Sequence, residues 1–257
     1  MLSGPTIRAR AVLVALAVAA AVLSATCGGG GRVFKPEYEY EEELYLALDG
    51  TATLNVNASV ASLVALRGAD LPTDPLARVD REQVRALYQA PGAETIVSLS
   101  RRDGRRFVNV SVDVADLRTL ERIAPFAWSS YRFERQGESF EYRQLVGRPA
   151  GRDPGEVGWT GQELVVFRMH VPSKIDFHNA PSRTVERGNI LEWEQLLSER
   201  LNGAPVEMQV QMQGQSILSR TLLLFGSTVV AAALLFAAVI WWVARRGRGA
   251  DVAASRP

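Results

Sequence analysis

The sequence predicts an α+β fold: a curved antiparallel sheet packed on two or three short helices, followed by a single C-terminal transmembrane helix. Three observations predict it. Apolar residues alternate at period two along most of the middle of the chain, broken by hairpin signals such as Asp49-Gly50 and Asp103-Gly104. Only a few short stretches carry the 3.6-residue spacing of a helix with one buried face. Residues 221–243 form an uncharged apolar run, which as a helix is about 35 Å long and long enough to span a bilayer.

In chain order, Arg8 and Arg10 precede an apolar stretch over 11–25. As a helix that stretch is about 22 Å long, short of the ~30 Å hydrocarbon core, and it fits the h-region of an export signal. Cys27, the chain's single cysteine, follows it and leads into Gly28–Gly31. One cysteine excludes an internal disulfide and a multi-cysteine metal site. Residues 1–27 are therefore read as a signal peptide with a lipobox-like end, and 28–36 as a flexible leader.

Residues 37–213 are read as an extracytoplasmic α+β domain. In "EYEYEEELYLALDG", Tyr38, Tyr40, Leu44, Leu46 and Leu48 share one face, and Glu37, Glu39, Glu41 and Glu43 the other. The acidic side reads as the solvated face of a strand. "TATLNVNASV" returns after Asp49-Gly50, and a short helical stretch is expected near 59–67. A second helix is expected in "VDREQVRALYQ", with Asp80 as N-cap, Gln83 three residues on, and Val84, Leu87 and Tyr88 buried. Hairpins follow around Asp103-Gly104 and Gln136-Gly137. Between them "ADLRTLERIAP" reads as a short helix ended by Pro125. Further strands are expected in "ELVVFRMHVP", "KIDFHNA", "GNILEWEQL" and "APVEMQVQMQG". Met169, Met208 and Met212 suit either an adaptable cavity wall or an ordinary core.

Residues 214–220 are read as a juxtamembrane linker, 221–243 as the transmembrane helix and 244–257 as an Arg-rich tail. Trp241 and Trp242 suit the membrane interface, and Arg245, Arg246 and Arg248 place the C-terminus in the cytoplasm. The expected localisation is the cell membrane, single-pass, with the main domain extracytoplasmic.

Net charge is +1 overall. The arginines at both ends hide a mildly acidic middle, which argues against nucleic acid as a partner. His170 and His178 have no ligand-spaced companions, and no nucleophile elbow or phosphate loop is present. No catalytic, metal or cofactor site is expected. The charge-bearing motif that stands out is "RRDGRR". Arg101, Arg102, Arg105 and Arg106 surround one hairpin tip, where they are candidates to contact anionic lipid headgroups or to be a solvated turn. Cys27 is the candidate lipidation site. Ser24, Ala25 and Thr26 fill −3 to −1 with Leu23 displaced to −4, so acylation and ordinary cleavage nearby both stay open.

"HVPSKIDFHNAPSRTVERGNILEWEQLL", residues 170–197, carries a spaced pattern of Pro172, Ile175, Asn179, Gly188, Asn189 and Trp193. With the export signal, ectodomain and C-terminal apolar run, it resembles the LppM-like family of actinobacterial envelope proteins. It departs from that pattern at Ser173, where a glycine is common, and in its lipobox. The resemblance implies a proline-stopped strand, a Gly-Asn turn and a packed Trp. It also implies lipid binding without catalytic residues. The expected function is a non-catalytic membrane-anchored domain that binds an envelope lipid or other hydrophobic ligand. The alternative is an interaction or scaffold module acting through its sheet edge or its transmembrane helix, including as a homodimer. The expected partners are thus the membrane, a lipid ligand and a protein partner.

Overall fold

The computed structural model describes residues 38–216, 222 and 225–241. Cys27, the signal and leader segments and the Arg-rich tail lie outside the described residues. The chain order is β1 (Tyr38–Leu46), β2 (Ala52–Ser59), α1 (Val60–Arg67), α2 (Arg81–Leu87), β3 (Ala93–Arg102) and β4 (Arg105–Val114). Two 3-10 segments, Leu117–Arg122 and Ala124–Phe126, lead to β5 (Ser129–Gln136) and β6 (Ser139–Val146). Then come β7 (Leu164–His170), β8 (Ser173–His178), β9 (Ile190–Leu196), α3 (Leu197–Leu201) and β10 (Val206–Ser216).

The predicted α+β class holds, but the single curved antiparallel sheet does not. There are two sheets, ordered β3-β4-β2-β1-β7-β9 and β5-β6-β10-β8. The first is mixed, because β1 pairs antiparallel with β2 and parallel with β7. A parallel partner needs a long crossover, and everything from β2 to β6 supplies it. Period-two alternation reports which face is buried, not which strand is the neighbour. A ladder of ten twisted strands also tends to split into packed layers rather than remain one sheet.

The hairpin signals act as read. At the β3–β4 tip Asp103 and Gly104 have φ of 49° and 75°, the conformation of a tight two-residue turn that favours an Asp-Gly pair. β1 and β2 are joined across Asp49-Gly50, with Ala47 N donating to Thr51 O at 2.9 Å.

α1 forms where the sequence turns from alternation to "VASLVAL". The Ser59 hydroxyl accepts from Ser62 N at 3.0 Å, and Gly68 ends the helix at φ 66°. Every residue from Val60 to Leu66 is buried, as befits a helix apolar on all sides inside a core. α2 starts at Asp80, whose carboxylate accepts from Glu82 N at 2.9 Å. Gln83 does not complete a capping box; its amide donates to Asp70 O instead. The third expected helix is two 3-10 segments, with Pro125 inside the second rather than ending the first.

One continuous core joins the layers. It runs from Tyr40, Leu54, Val110 and Phe167 in the first sheet to Tyr142, Val210 and Met212 in the second. Met169, Met208 and Met212 are all buried within it.

β10 runs to Ser216, into the segment read as linker. The helix expected over 221–243 is described over 225–241, where every residue is exposed. Among the described residues no helix is long and apolar enough to cross a membrane, so the single-pass span is not supported there.

Gly147 marks a tight approach where the chain leaves the β5–β6 pair. Its N–H donates to Trp128 O at 2.7 Å, and a Cβ added there would sit 2.6 Å from that oxygen. Gly147→Ala is expected to lower stability by about 1–3 kcal/mol, read as a lower urea midpoint at unchanged slope.

Candidate functional site

The acidic run of β1 is not a solvated face. β1 is an inner strand, and its carboxylates are paired on both sides of the sheet. On the outer face Glu39 meets Arg105 and accepts from Trp159 Nε1 at 3.2 Å. Glu41 meets Arg168, which also holds Glu192 at 2.7 Å. Glu43 lies 2.7 Å from His170 Nε2, and the His170 ring stacks on Tyr45 at 3.9 Å. Glu39 is 2% exposed and Arg168 8%, so this ladder is partly desolvated.

Glu42 points the other way. It shares the inner face with Tyr40, Leu44 and Leu46 and is 2% exposed. Arg67, the last residue of α1, forms an ion pair with it, and the Tyr40 hydroxyl donates to the same carboxylate oxygen. The Arg67 guanidinium stacks on Trp128 and lies 4.6 Å from the centre of the Tyr40 ring. In the second sheet Gln144 Nε2 donates to Ser129 Oγ at 3.3 Å and Tyr142 OH donates to Gln144 Oε1 at 2.6 Å. The other oxygen, Glu42 Oε2, has no protein partner, and neither do the hydroxyls of Tyr88 and Tyr131. Burial raises the Glu42 pKa above the ordinary carboxylate value, with Arg67 pulling it back. The same burial lifts Tyr40, Tyr88 and Tyr131 well above the ordinary phenol value. The cluster therefore stays sealed: it is an interior fastening, and neither phenol nor carboxylate is offered to solvent.

The second place of interest is the "RRDGRR" tip. Arg105 pairs with Glu39, and Arg102 donates to Tyr38 O at 2.7 Å while lying over the Phe107 ring. Arg106, 9% exposed, donates to Pro72 O, Asp74 O and Ala77 O. Arg101 gives one N–H to Pro75 O at 3.0 Å and stays exposed. The tip is thus strapped to β1 and to the 68–79 loop. Between that loop and β3–β4 lies an open groove of 450 Å³. Val60, Val79, Leu99 and Phe107 line it, and Arg78 and Arg101 stand at it. Arg78 is exposed and has no bonded partner among the described residues. Leu76, at the same groove, is 85% exposed.

Sequence reading singled out the four arginines but missed Arg78, the groove and Glu42. The signal for Glu42 was present, since counting by two from Tyr40 lands on it. Among the described residues no group of three or more His, Cys, Asp or Glu could hold a metal. His178 lies in β8 with Nδ1 unpartnered.

The 170–197 motif clasps the two sheets. Asn179 Oδ1 accepts from Trp193 Nε1 of β9 and from Gln209 N of β10, and its amide donates to Glu207 O. Asn189, at φ 58°, donates to Ser173 O, and the Ser173 hydroxyl reaches Gln213 O. Strand β7 stops just before Pro172, and Trp193 is 4% exposed.

These features define a two-sheet α+β domain with a sealed interior ion pair and an open arginine-flanked groove. No family model matches the chain, and no curated protein matches it. Among solved structures, the NMR structure of the folded domain of Mycobacterium tuberculosis LppM is similar. The TM-score is 0.39 at 13% identity, over 72% of this chain and 95% of that one. A likeness this distant assigns neither family nor function.

Replacing Glu42 alone leaves the Arg67 side chain, 1% exposed, buried without its counter-charge. Glu42→Leu is expected to cost about 3–5 kcal/mol, and the Glu42→Leu/Arg67→Leu pair to recover most of it. Urea unfolding of both variants checks this. The pH dependence follows from the raised Glu42 pKa. The folded chain binds that proton more tightly than the unfolded chain. The Glu42 contribution is therefore full below the ordinary value of about 4.3 and is lost as pH rises through the raised value. Glu42→Gln is expected to flatten stability across that window.

Proposed function

We propose that the chain is a non-catalytic, membrane-tethered extracytoplasmic domain that binds an amphiphile, an envelope lipid or similar ligand, in the groove beside the β3–β4 tip. The observation that carries this reading is the groove itself. Its volume lies in the range of ligand sites, its lining mixes apolar and polar surface, and Arg78 and Arg101 flank it with N–H groups to spare. An acyl chain suits the floor and an anionic headgroup the rim. Arg102 and Arg105 serve this site by holding the tip in place, and Arg106 lines the groove while tied to three loop carbonyls.

Tethering is supported by the helical residues 225–241, with Phe225, Val230, Leu234, Phe236 and Ile240 all exposed. A helix apolar on every side belongs in lipid or in another core. Read with the charge-free run over 221–243 and the arginines after it, lipid is the simpler host. Cys27, if acylated, is a second tether.

Full-length protein in detergent is offered to vesicles of phosphatidylglycerol or of phosphatidylcholine, and binding is measured by flotation. The anionic vesicles are expected to retain the protein more strongly. Arg78→Glu/Arg101→Glu is expected to erase that preference, worth about 1 kcal/mol for each basic side chain at the surface. Leu99→Glu is expected to weaken binding to both vesicle types. Equal retention of wild type and both variants refutes the groove as the site.

A further inference from the structure

The outermost strand of the first sheet, β3, is ten residues long and carries no proline or lysine. Among the described residues no strand pairs with its free side: its only strand partner is β4. Such edges template the addition of another strand unless they are blunted. Here the edge is left open, with Ile96 67% and Leu99 37% exposed.

We propose that β3 pairs antiparallel with β3 of a second copy of this chain, joining two six-stranded sheets into one. The order of charges selects that occupant. The strand reads "AETIVSLSRR", acidic at its start and basic at its end. An antiparallel copy brings the acidic end of each strand to the basic end of the other, whereas a parallel copy stacks like on like. Symmetry then sets the register. A two-fold axis normal to the sheet keeps both inner faces on one side, so facing residues have the same parity. Centred on Ser98, this puts Glu94 opposite Arg102 twice, Val97 opposite Leu99 twice, and Ser98 opposite its own copy. Glu94 is exposed and has no ion-pair partner among the described residues, while Arg102 is held over Phe107 and donates to Tyr38 O. The basic Arg101-Arg102 end of the other copy thus comes beside the unpaired Glu94, and Leu99 loses its exposure.

The test uses full-length protein in detergent, carrying Cys27→Ser because Cys27 is the chain's single cysteine. Facing residues in an antiparallel pair have Cα atoms about 4.5–5.5 Å apart, within disulfide range. Ser98→Cys is expected to oxidise to a covalent dimer, while Ser130→Cys, exposed on β5, stays monomeric under the same oxidant. Glu94→Arg sets like charges opposite one another. It is expected to weaken the dimer about tenfold in native mass spectrometry and to slow the Ser98 cross-link equally. A monomer at all micromolar concentrations overturns the proposal. So does a dimer that fails to cross-link through Ser98, or one indifferent to Glu94→Arg; each would place association elsewhere, as in the 225–241 helix. Leu99 is common to the groove and the seam, but neither Ser98 nor Glu94 lines the groove, so these variants test the seam with the groove lining intact.

Discussion

The architecture turns on one carboxylate that cannot reach water. β1 lies inside its sheet, and Glu42 is on the face that looks into the core. A lone ionised carboxylate there is untenable, so the surroundings are organised around it. α1 delivers Arg67 from its last position, and Ser62, bonded to Glu39 O, is the one polar side chain in the rest of that helix. Trp128, just before β5, then brings the 3-10 region and the start of the second sheet to the same point. The two layers are thereby aligned by a polar contact with direction and partner identity, which apolar packing alone does not impose. The sheets are also fastened at the Asn179 clasp, where one amide serves a Trp from one sheet and two backbone groups from the other.

Local chemistry was legible. The ten strands, the Asp-Gly turns, the Asp80 cap and the helix at 60–67 all follow from neighbours in sequence, and they lie where alternation and turn chemistry place them. What escaped was non-local. Nothing in "ELVVFRMHVP" announces that it will lie parallel to Tyr40–Tyr45, because burial on two faces looks the same beside either neighbour. Parity could have exposed Glu42, but the adjacent Glu39, Glu41 and Glu43 read as one solvated stripe. That stripe proved to be paired, because its partners Arg105, Arg168 and His170 come from distant strands.

The arginine tip shows the same division. Its charge was plain in the sequence; the acceptors that engage it were not. Carbonyls of Pro72, Asp74 and Ala77 take up Arg106, and backbone oxygens leave no mark in composition. Arg78 was passed over for the opposite reason. A single arginine in a loop carries no pattern, and it becomes noticeable only beside an apolar groove.

The parallel pairing of β1 with β7 also has a consequence in time. Tyr40 cannot acquire its partner Val165 until most of the domain has been made. β1 is flanked on one side early, by β2, and on the other very late. Contacts so far apart in sequence slow folding, since the loop must close before they reward it. Until then one side of the central strand, with its alternating charges, stays open to water. A chain with this order of assembly completes the pairing of its central strand only when the last third of the domain is being made.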